Sequence, residues 1–481
     1  MPEEIVCQDD GVMNQKDLQE IEKKILGETY VSNETEKNLM ALCGFGSRFA
    51  GTPSEKQAVD YILGKMREYG LDNPHTEKVE YLGWKRGTSV LEVMEPEYKE
   101  LECIGLPWSP STPSGGVEAE LLNLGHGTHV DYALHKTEVA KKIVLTTSFT
   151  PSWMRFQNHC EKLTRAEDLG AVGFIYAKNE PGLLCETGVA TWSWPVSFGR
   201  IARFPAVGTS KEVAEYLGRL QHKGKVKVRI KANHTSGPAL TWNVVGEIIG
   251  EKRPEEVIIA GAHFDGHDIA VGASDDAAGT CVVLEAARLL ARHKKGFKRS
   301  VRFIAFPAEE VGDFGSAGYV LQHLDEMNNI RFMFNLDSGP ENTTRPGLLI
   351  AGWPDSIPFF KKMASDMGQP IPLGVGFGSL SDHVPFALRG IHTAWLRGGG
   401  FFSGWRSTHG WGHTKADTED KVDIRDMREA VGTIARVLFR MATVEELPFS
   451  RKSQEEIKAM LKEYSYDKLL ETMACYPAWL K

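Results

Sequence analysis

The chain has 481 residues, of which 42% are hydrophobic and 25% charged, a composition typical of a folded protein with more than one domain. Its formal net charge of −8 argues against a sequence-independent nucleic-acid binder, which needs a basic surface. No apolar run approaches the roughly 20 residues of a membrane-spanning helix. We therefore expect neither a nucleic-acid partner nor a membrane partner.

The N-terminus and the cysteines bear on the cellular compartment. The first residues, MPEEIVCQDDGVM, lack the basic start and the apolar run of a secretory signal. The seven cysteines are scattered and never stand at CxxC spacing, so neither a disulfide framework nor a cysteine zinc site is indicated. We expect a cytoplasmic protein with reduced thiols.

The first part of the chain is predicted to be helical up to about Leu71. Its clearest segment is GSRFAGTPSEKQAVDYILGKMREYG. A helix start at Thr52 to Ser54 is followed there by apolar residues at helical spacing, until Gly70 ends the pattern. A strand-like segment, HTEKVEYLGW, comes next.

Residues 99–236 have a different texture. Short β-like runs such as AELLNLG, KKIVLTT and KVKVRIKA are broken by glycine and proline, and one helix is expected around Cys160 to Leu169. We interpret this segment as a small β-rich domain inserted into a larger one. The predicted division is a main domain of residues 15–98 and 237–447, an inserted domain of residues 99–236, and a helical, charged C-terminal tail of residues 448–481.

From Thr241 onward, predicted strands and helices alternate. Apolar strands such as EEVIIAGAHF, SVRFIAFPA and RFMFNLDSG are separated by helices, which is the pattern of a parallel sheet covered on both faces. Sites on such sheets lie beyond the carboxyl ends of the strands. The expected fold class is α/β, a mostly parallel mixed sheet flanked by helices, with the small β-rich domain inserted.

Residues of metal-ligand type stand at those strand ends. His263 ends a strand in AGAHFDGHD, where it could simply cap a loop; Asp265, two residues later, could hydrogen-bond the imidazole as metal-binding histidines commonly require. Asp275 and Asp276 precede a helix in GASDDAAGT. Capping of the helix would explain one carboxylate. We interpret Asp275 as a bridge between two cations, and Asp276 as facing away or supporting the turn.

Another pair of adjacent carboxylates, Glu309 and Glu310, follows the next strand in FPAEEVGDFGS. Neighbouring side chains diverge there, so one can bind metal while the other stays free as a base. Without cations, two carboxylates at the end of a buried strand would repel each other. We assign Glu310 to metal and Glu309 to the general base, although the spacing alone allows the reverse.

The remaining candidates lie further along the chain. Asp337 ends the strand in FMFNLDSG, and His413 lies in HGWGHTKADTED, with Asp417 four residues later to orient it and His409 as a competing ligand. Each residue alone could be an ordinary polar cap. Together, two histidines and three carboxylates at successive strand ends and loops indicate a site for two divalent metals.

Two tryptophans, Trp405 and Trp411, flank His409 in the same loop. They could line a substrate cleft, although packing in a core or an interface is the commoner use of tryptophan.

As a set, the HFD, SDD, AEE, NLD and HTKADT motifs resemble the metallopeptidases of family M28 in order and spacing. The GSRFAGTPSEKQAVDYI opening and the WKRG passage look most like the carboxypeptidase Q branch, and KKIVLTT and LGAVGFIYA resemble its inserted protease-associated domain. The resemblance covers about Gly44 to Leu447. It implies the zinc exopeptidase fold and hydrolysis of terminal peptide bonds.

The resemblance also implies roles for individual residues. Asp382 and His383, in SDHVPFALRGI, would neighbour the site, and a cis peptide bond would follow Asp275. His267 departs from the pattern of this branch. The implied metal set is His263 and Asp337 on one zinc, Glu310 and His413 on the other, Asp275 bridging both, and Glu309 as the general base.

The expected activity is that of an exopeptidase with two Zn²⁺ ions, although Mn²⁺ or Co²⁺ could occupy such ligands. The favoured substrates are short peptides, cleaved by aminopeptidase or dipeptidase chemistry; a carboxypeptidase of the Q type is the alternative. A non-catalytic binding protein would lack ligands, and a glutaminyl-cyclase-like acyltransferase would not need two metals. Whether the inserted domain covers the site or forms a homodimer is left open.

Overall fold

The computed structural model describes residues 13–337, 346–397 and 410–481. Within them, none of the helices is long and apolar enough to cross a membrane. The helices are α1 (Gln15–Val31), α2 (Glu34–Gly44), α3 (Pro53–Glu68), α4 (His129–Leu134), α5 (His159–Asp168), α6 (Lys211–Gln221), α7 (Ala278–Arg292), α8 (Phe314–Gln322), α9 (Ile357–Met367), α10 (His383–Ala387), α11 (Ile424–Thr443), α12 (Gln454–Glu463) and α13 (Tyr466–Thr472).

The described residues form one mixed sheet, in which twelve strands follow the order β13-β12-β14-β11-β9-β10-β8-β4-β5-β6-β7-β3, while β1 pairs with β8 and β2 pairs with β1. The 14 strands have the following bounds. They are β1 (Asp72–Glu95), β2 (Lys99–Leu101), β3 (Ile104–Gly105), β4 (Val117–Asn123), β5 (Ile143–Thr147), β6 (Gly173–Ala177), β7 (Ala206–Thr209), β8 (Lys227–Ile248), β9 (Arg253–His263), β10 (Arg299–Phe306), β11 (Ile330–Asn335), β12 (Gly347–Ile350), β13 (Leu373–Val375) and β14 (Thr393–Arg397).

Four neighbouring strands, β10, β9, β11 and β14, run parallel in the middle of the main-domain part of the sheet. Strands β8 and β12 pair antiparallel at either side of this group. The apolar helices α7 and α11 pack against it and against each other, and nearly all of their central residues are buried. The predicted α/β fold with a mostly parallel mixed sheet is confirmed.

The segment 99–236 contains more helix than expected. Besides α5, it forms α4, which contacts α5, and α6, which contacts β5 and β6. The expectation of one helix was wrong. Helix α4 spans only six residues, too few to show a period, and its signal is the capping box of Thr128 and Asp131. Helix α6 starts at Ser210, whose hydroxyl accepts from Val213 N.

The segment is joined to the rest of the molecule by two long strands. Strand β8 covers 22 residues and pairs antiparallel with β1 along most of its length. One end of β8 pairs with β4 of the segment and the other with β10 of the main sheet. The predicted boundary at 236/237 therefore falls inside a continuous strand, and the division into domains stays a prediction.

The C-terminal residues are helical, as expected, but they are not a solvated tail. The apolar side chains of α12 and α13, among them Leu461 and Leu470, are buried in the main core. Cys160 Sγ of α5 lies 3.4 Å from Met473 Sδ. This packing places the C-terminal helices against both the main sheet and the segment 99–236.

Glu55 is a buried carboxyl group in the first turn of α3. The helix is capped by Thr52, whose hydroxyl accepts from Glu55 N at 3.4 Å, and the Glu55 carboxylate accepts from Gly51 N at 2.7 Å and from the Thr241 hydroxyl. Burial raises the pKa of Glu55 to about 7, although these hydrogen bonds oppose the shift.

We predict that Glu55→Gln removes part of the pH dependence of folding. The folded carboxyl keeps its proton between its usual pKa near 4.5 and about 7. The unfolded chain has released that proton, so stability falls as pH rises through this window, by up to roughly 3 kcal/mol. The amide cannot ionise, so the variant should not lose this stability. Between about pH 5 and about pH 8, the free energy of unfolding measured by urea titration should therefore fall less in the variant than in the parent.

Glu68→Gln, at the exposed end of the same helix, is the matched control and should leave the pH profile unchanged. Parallel profiles for Glu55→Gln and the parent would contradict the prediction.

Candidate metal centre

Three of the candidate residues are brought together by parallel strands. His263 is the last residue of β9, and Phe306, the last of β10, is its register partner. Strand β11 pairs parallel with β9 on the other side. The chain segments leaving β10 and β11 therefore carry Glu309 and Asp337 to the edge where His263 stands.

The first group of metal-ligand atoms consists of His263, Asp275 and Asp337, whose donor atoms all lie within 4.8 Å of one another. His263 Nε2 is 3.3 Å from Asp275 Oδ1 and 3.6 Å from Asp337 Oδ1. Glu309 Oε2 lies further away, 4.0 Å from the same nitrogen. The imidazole thus faces two carboxylates at ligand spacing and a third outside the group.

The second group consists of His267, Glu310 and His413, again within 4.8 Å of one another. Glu310 Oε2 is 2.9 Å from His267 Nε2 and 3.4 Å from His413 Nε2. His413 Nε2 is also 3.4 Å from Asp275 Oδ2. Since the other oxygen of Asp275 faces His263, this carboxylate lies between the two groups.

The loop that follows β9, from Phe264 to Gly272, contains His267 and is held by Arg48. Its fully buried guanidinium donates to Phe264 O at 2.6 Å, to Val271 O at 2.5 Å and to Gly272 O at 2.8 Å. Our sequence reasoning did not assign Arg48 a role. The only signal for it was its place in the GSRFAGTP motif, more than 200 residues earlier in the chain.

Asp265 contacts His263 as expected, but its backbone oxygen lies closer to the imidazole than its carboxylate does. Its carboxylate accepts from Glu309 N at 3.1 Å and from Glu310 N at 3.3 Å. His263 Nδ1 lies instead 3.1 Å from the Asp265 backbone oxygen, and 3.6 Å from the nearer carboxylate oxygen. Asp265 therefore fixes the turn that presents the two glutamates, because two backbone donors compete for its side chain.

Asp417 also differs from its expected role of orienting His413. Both of its oxygens accept from the loop before α7, from Ser274 N and Oγ at 2.8 Å and from Asp275 N at 3.1 Å. His413 Nδ1 lies 3.3 Å from Thr187 O, and Thr187 N donates to His413 O at 2.9 Å. The segment 99–236 thus supplies the backbone that orients this imidazole.

Asp276 supports the turn before α7, as its position suggested. Its Oδ1 accepts from Gly279 N at 3.0 Å, which caps the helix, and its side chain is fully buried. The peptide bond between Asp275 and Asp276 is cis.

Asp382 and His383 lie behind the first group rather than in a cleft. Both are fully buried. His383 Nε2 bonds to Phe377 O at 2.9 Å, and the neighbouring Ser381 donates to Asp337 Oδ2 at 2.5 Å. We therefore place these residues in the wall that supports Asp337.

Of the remaining sequence candidates, only Trp411 lies within the described residues. His409 and Trp405 lie outside the described residues. Trp411 is half-buried, and Lys421 Nζ lies 5.1 Å above its ring. Gly412 adjoins Asp275, because a Cβ built there would lie 3.3 Å from Asp275 Oδ2.

The pKa shifts of the buried acids and of His263 indicate that this centre favours bound positive charge. Burial, together with neighbouring carboxylates, raises the pKa of Glu309 and of Glu310 well above the usual value. Burial opposes charge on His263, but Glu309 and the surrounding aspartates outweigh it and raise the pKa of the imidazole. So many buried acids at one point are costly unless cations neutralise them.

The residues present fit divalent metal ions. His263 Nε2 and both ring nitrogens of His267 are buried without a hydrogen-bond partner among the described residues. Nitrogen donors of this kind, mixed with carboxylate oxygens, are the ligands of Zn²⁺ and also suit Mn²⁺ or Co²⁺. Two groups sharing Asp275 could hold two ions.

Comparison with known proteins points to one family. Residues 243–438, which run from the end of β8 into α11 and include every residue of both groups, match the model of peptidase family M28. Over these residues the chain resembles a family M28 peptidase. The resemblance drawn from the HFD, SDD, AEE, NLD and HTKADT motifs is thereby confirmed.

The chain resembles both proteins named as carboxypeptidases and proteins named as aminopeptidases. It is 25% identical to carboxypeptidase Q of Mus musculus over 411 residues, 84% of each chain. It is 28% identical to aminopeptidase YwaD of Bacillus subtilis over 433 residues, 86% of this chain and 85% of the relative. The structure of BSAP, a zinc aminopeptidase from Bacillus subtilis, has a TM-score of 0.65 at 25% identity and covers 88% of this chain and 98% of that chain.

We predict that Arg48→Lys weakens metal binding by this protein. A lysine cannot reach several carbonyl oxygens at once, so the loop from Phe264 to Gly272 would lose its common anchor. Loss of a partner that orients ligands typically costs about 10- to 100-fold in metal affinity. Zinc competition with a fluorescent chelator measures it.

Arg302→Lys is the matched control, since Arg302, in the middle of β10, pairs with Glu247 of β8 and with Glu326, which follows α8. Equal zinc affinity for Arg48→Lys and the parent would show that the loop keeps its shape without the guanidinium.

Proposed function

We propose that this protein is a two-zinc exopeptidase that removes terminal residues from short peptides, with aminopeptidase or dipeptidase activity favoured. The observation that carries the proposal is the pair of donor groups that share Asp275, with Glu309 beside them. The names of YwaD and BSAP support the aminopeptidase polarity. A cytoplasmic location and a homodimer stay predictions.

The ligands divide between two metal positions. His263 and Asp337 would hold one ion, Glu310 and His413 the other, and Asp275 would bind both. When bound, the ions supply Lewis acids that polarise the scissile carbonyl and lower the pKa of a water. The chain's own contribution is to fix these ligands through Asp265 and Asp417 and to exclude water from the buried side.

Glu309 is suited to move the proton. It belongs to neither donor group, and its side chain is partly exposed, whereas Glu310 is buried between two imidazoles. Burial favours the protonated form of Glu309, so its carboxylate can take a proton from the attacking water and return it to the leaving amine. The anchor of Glu309 N on Asp265 keeps this carboxylate beside the metal positions.

Carboxypeptidase activity is the alternative, since carboxypeptidase Q resembles the chain over a similar length. It requires a cation for the substrate carboxylate. Arg397, at the end of β14, is the candidate: its guanidinium lies 3.7 Å from the Trp395 ring and its charge acts on Asp337. Arg389, by contrast, is stacked on Trp479 at 3.7 Å, which points to a packing role.

The other two alternatives have less support. A binding protein that had lost catalysis would not retain a full set of donors together with Glu309. A glutaminyl-cyclase-like acyltransferase with one zinc would not need the second group of donors.

We predict that Glu309→Gln abolishes turnover without removing metal. The amide cannot accept a proton, and loss of a general base costs roughly 100- to 10,000-fold in rate. Glu310→Gln should instead lower the zinc content, because it removes a ligand of the second position. Kcat on a peptide substrate and zinc stoichiometry by mass spectrometry separate the two effects.

The reversed result, metal loss in Glu309→Gln and slow turnover at full metal content in Glu310→Gln, would exchange the roles of the two residues. Glu326→Gln, between α8 and β11 and paired with Arg302, serves as the control and should change neither quantity.

A panel of blocked and free peptides decides whether the enzyme cleaves from the N-terminus or from the C-terminus. We predict that the zinc-loaded enzyme cleaves a C-amidated tripeptide but not its N-acetylated form, since an aminopeptidase requires a free ammonium. Products are identified by mass spectrometry, with a chelator-treated sample as control. The opposite pattern would establish a carboxypeptidase, and absence of chelator-sensitive cleavage of every peptide would overturn the exopeptidase proposal.

A further inference from the structure

We infer that His267 is a metal ligand of the second position, which then holds two imidazoles rather than one. This inference rests on the proposed two-metal function and deepens it. The family resemblance assigns only Glu310, His413 and the bridging Asp275 to that position, and His267 is a departure of this chain from the pattern.

The donor atoms of His267, Glu310 and His413 all lie within 4.8 Å of one another, close enough to share an ion. Ligand atoms about 2.0–2.1 Å from a tetrahedral Zn²⁺ lie roughly 3.3–3.4 Å from each other. His413 Nε2 matches this spacing, at 3.4 Å from both Glu310 Oε2 and Asp275 Oδ2, whereas His267 Nε2 lies closer, 2.9 Å from Glu310 Oε2. The rings of His267 and His413 meet edge to face at 82°, with centroids 4.5 Å apart.

A purely positioning role for His267 explains the contacts less well. A histidine that only orients Glu310 would donate an aligned hydrogen bond to its carboxylate. The two side chains approach closely, yet both ring nitrogens of His267 are buried and neither has an aligned partner among the described residues. A buried imidazole whose nitrogen lies beside a carboxylate and a second imidazole, without an aligned hydrogen bond to either, has the arrangement of a ligand.

The backbone around His267 is fixed on both sides. Arg48 binds the carbonyl oxygens of Phe264 and Val271, before and after it. Arg86, in the WKRG passage, holds the adjacent Asp268 with Nε at 2.9 Å and Nη2 at 2.6 Å. The imidazole is therefore presented by a loop with little freedom, which is what a preorganised ligand requires.

Two imidazoles make the metal positions unequal. The first position offers one nitrogen and two carboxylates, whereas the second offers two nitrogens, Glu310 and the shared Asp275. Nitrogen donors favour Zn²⁺ over harder, oxygen-preferring cations such as Mn²⁺. The first zinc ion should therefore enter the second position, and a harder cation can compete only for the first.

The test counts imidazoles around zinc by X-ray absorption spectroscopy of the metal-free protein reloaded in steps. With one equivalent of zinc we expect two imidazoles per ion, and with two equivalents three imidazoles shared between two ions. His267→Gln should give one imidazole per ion at both loadings. Its first zinc should also bind at least about tenfold more weakly in chelator competition.

Glutamine can still hydrogen-bond Glu310, so a merely positioning histidine would leave the imidazole count of His267→Gln equal to that of the parent. That result, or one imidazole per ion in the parent at both loadings, overturns the inference. His234→Gln, which replaces a buried histidine bonded to Gly87 N, is the matched control and should keep the parent count. Should His267→Gln fail to fold, His267→Asp retains a metal-binding side chain and should still lack one imidazole.

The measurement uses no peptide, so the two proposals fail separately. Two imidazoles on the first zinc without any peptide cleavage would leave the ligand assignment intact and remove the exopeptidase function. Cleavage with one imidazole per ion would do the reverse.

Discussion

The buried carboxylates that follow β10 and β11 and precede α7 are the constraint on which the rest of this structure depends. Asp337 and Asp275 lie in one donor group, and Asp275 and Glu310 both approach His413 Nε2 at 3.4 Å. Their mutual repulsion at this buried place is tolerable only with bound cations or protons. The surrounding protein holds the acids in place by using backbone donors. The residues that fix the turns, Asp265 and Asp417, are themselves acidic and add to the negative charge. The centre therefore favours bound cations over neutralisation by basic side chains.

Much of that support comes from residues far away in the chain. Arg48 binds the loop after β9, and Thr187 of the segment 99–236 exchanges backbone contacts with His413. The long paired strands β1 and β8 carry this segment to the centre. Through Thr187 the segment contributes directly to the orientation of a metal ligand, so its packing against the main sheet and the metal affinity are linked physically.

The sequence predicted those parts of the molecule that depend on local pattern. Apolar runs located the parallel strands, and strand ends placed His263, Glu309 and Asp337 at one edge, because parallel strands end together. The partners of Asp265 and Asp417 could not be read from spacing, since each accepts from a turn whose shape is set by tertiary packing. Arg48 and His267 were missed as site residues for the same reason, because their roles depend on a loop folding back. Helix α4 was missed because it is too short to show a period.

A bridging carboxylate between unequal positions has a further consequence. Asp275 directs Oδ2 to His413 and Oδ1 to His263. An ion held by His267, Glu310 and His413 would fix the Oδ2 side of Asp275 first, and with it the Oδ1 side that faces His263. Filling of the second position would thereby help to complete the first. Asp275 N is itself held by Asp417, so the turn that presents the shared carboxylate has a fixed anchor. Under the proposed ligand set, the order of metal binding would depend on where the imidazoles converge rather than on the total number of carboxylates.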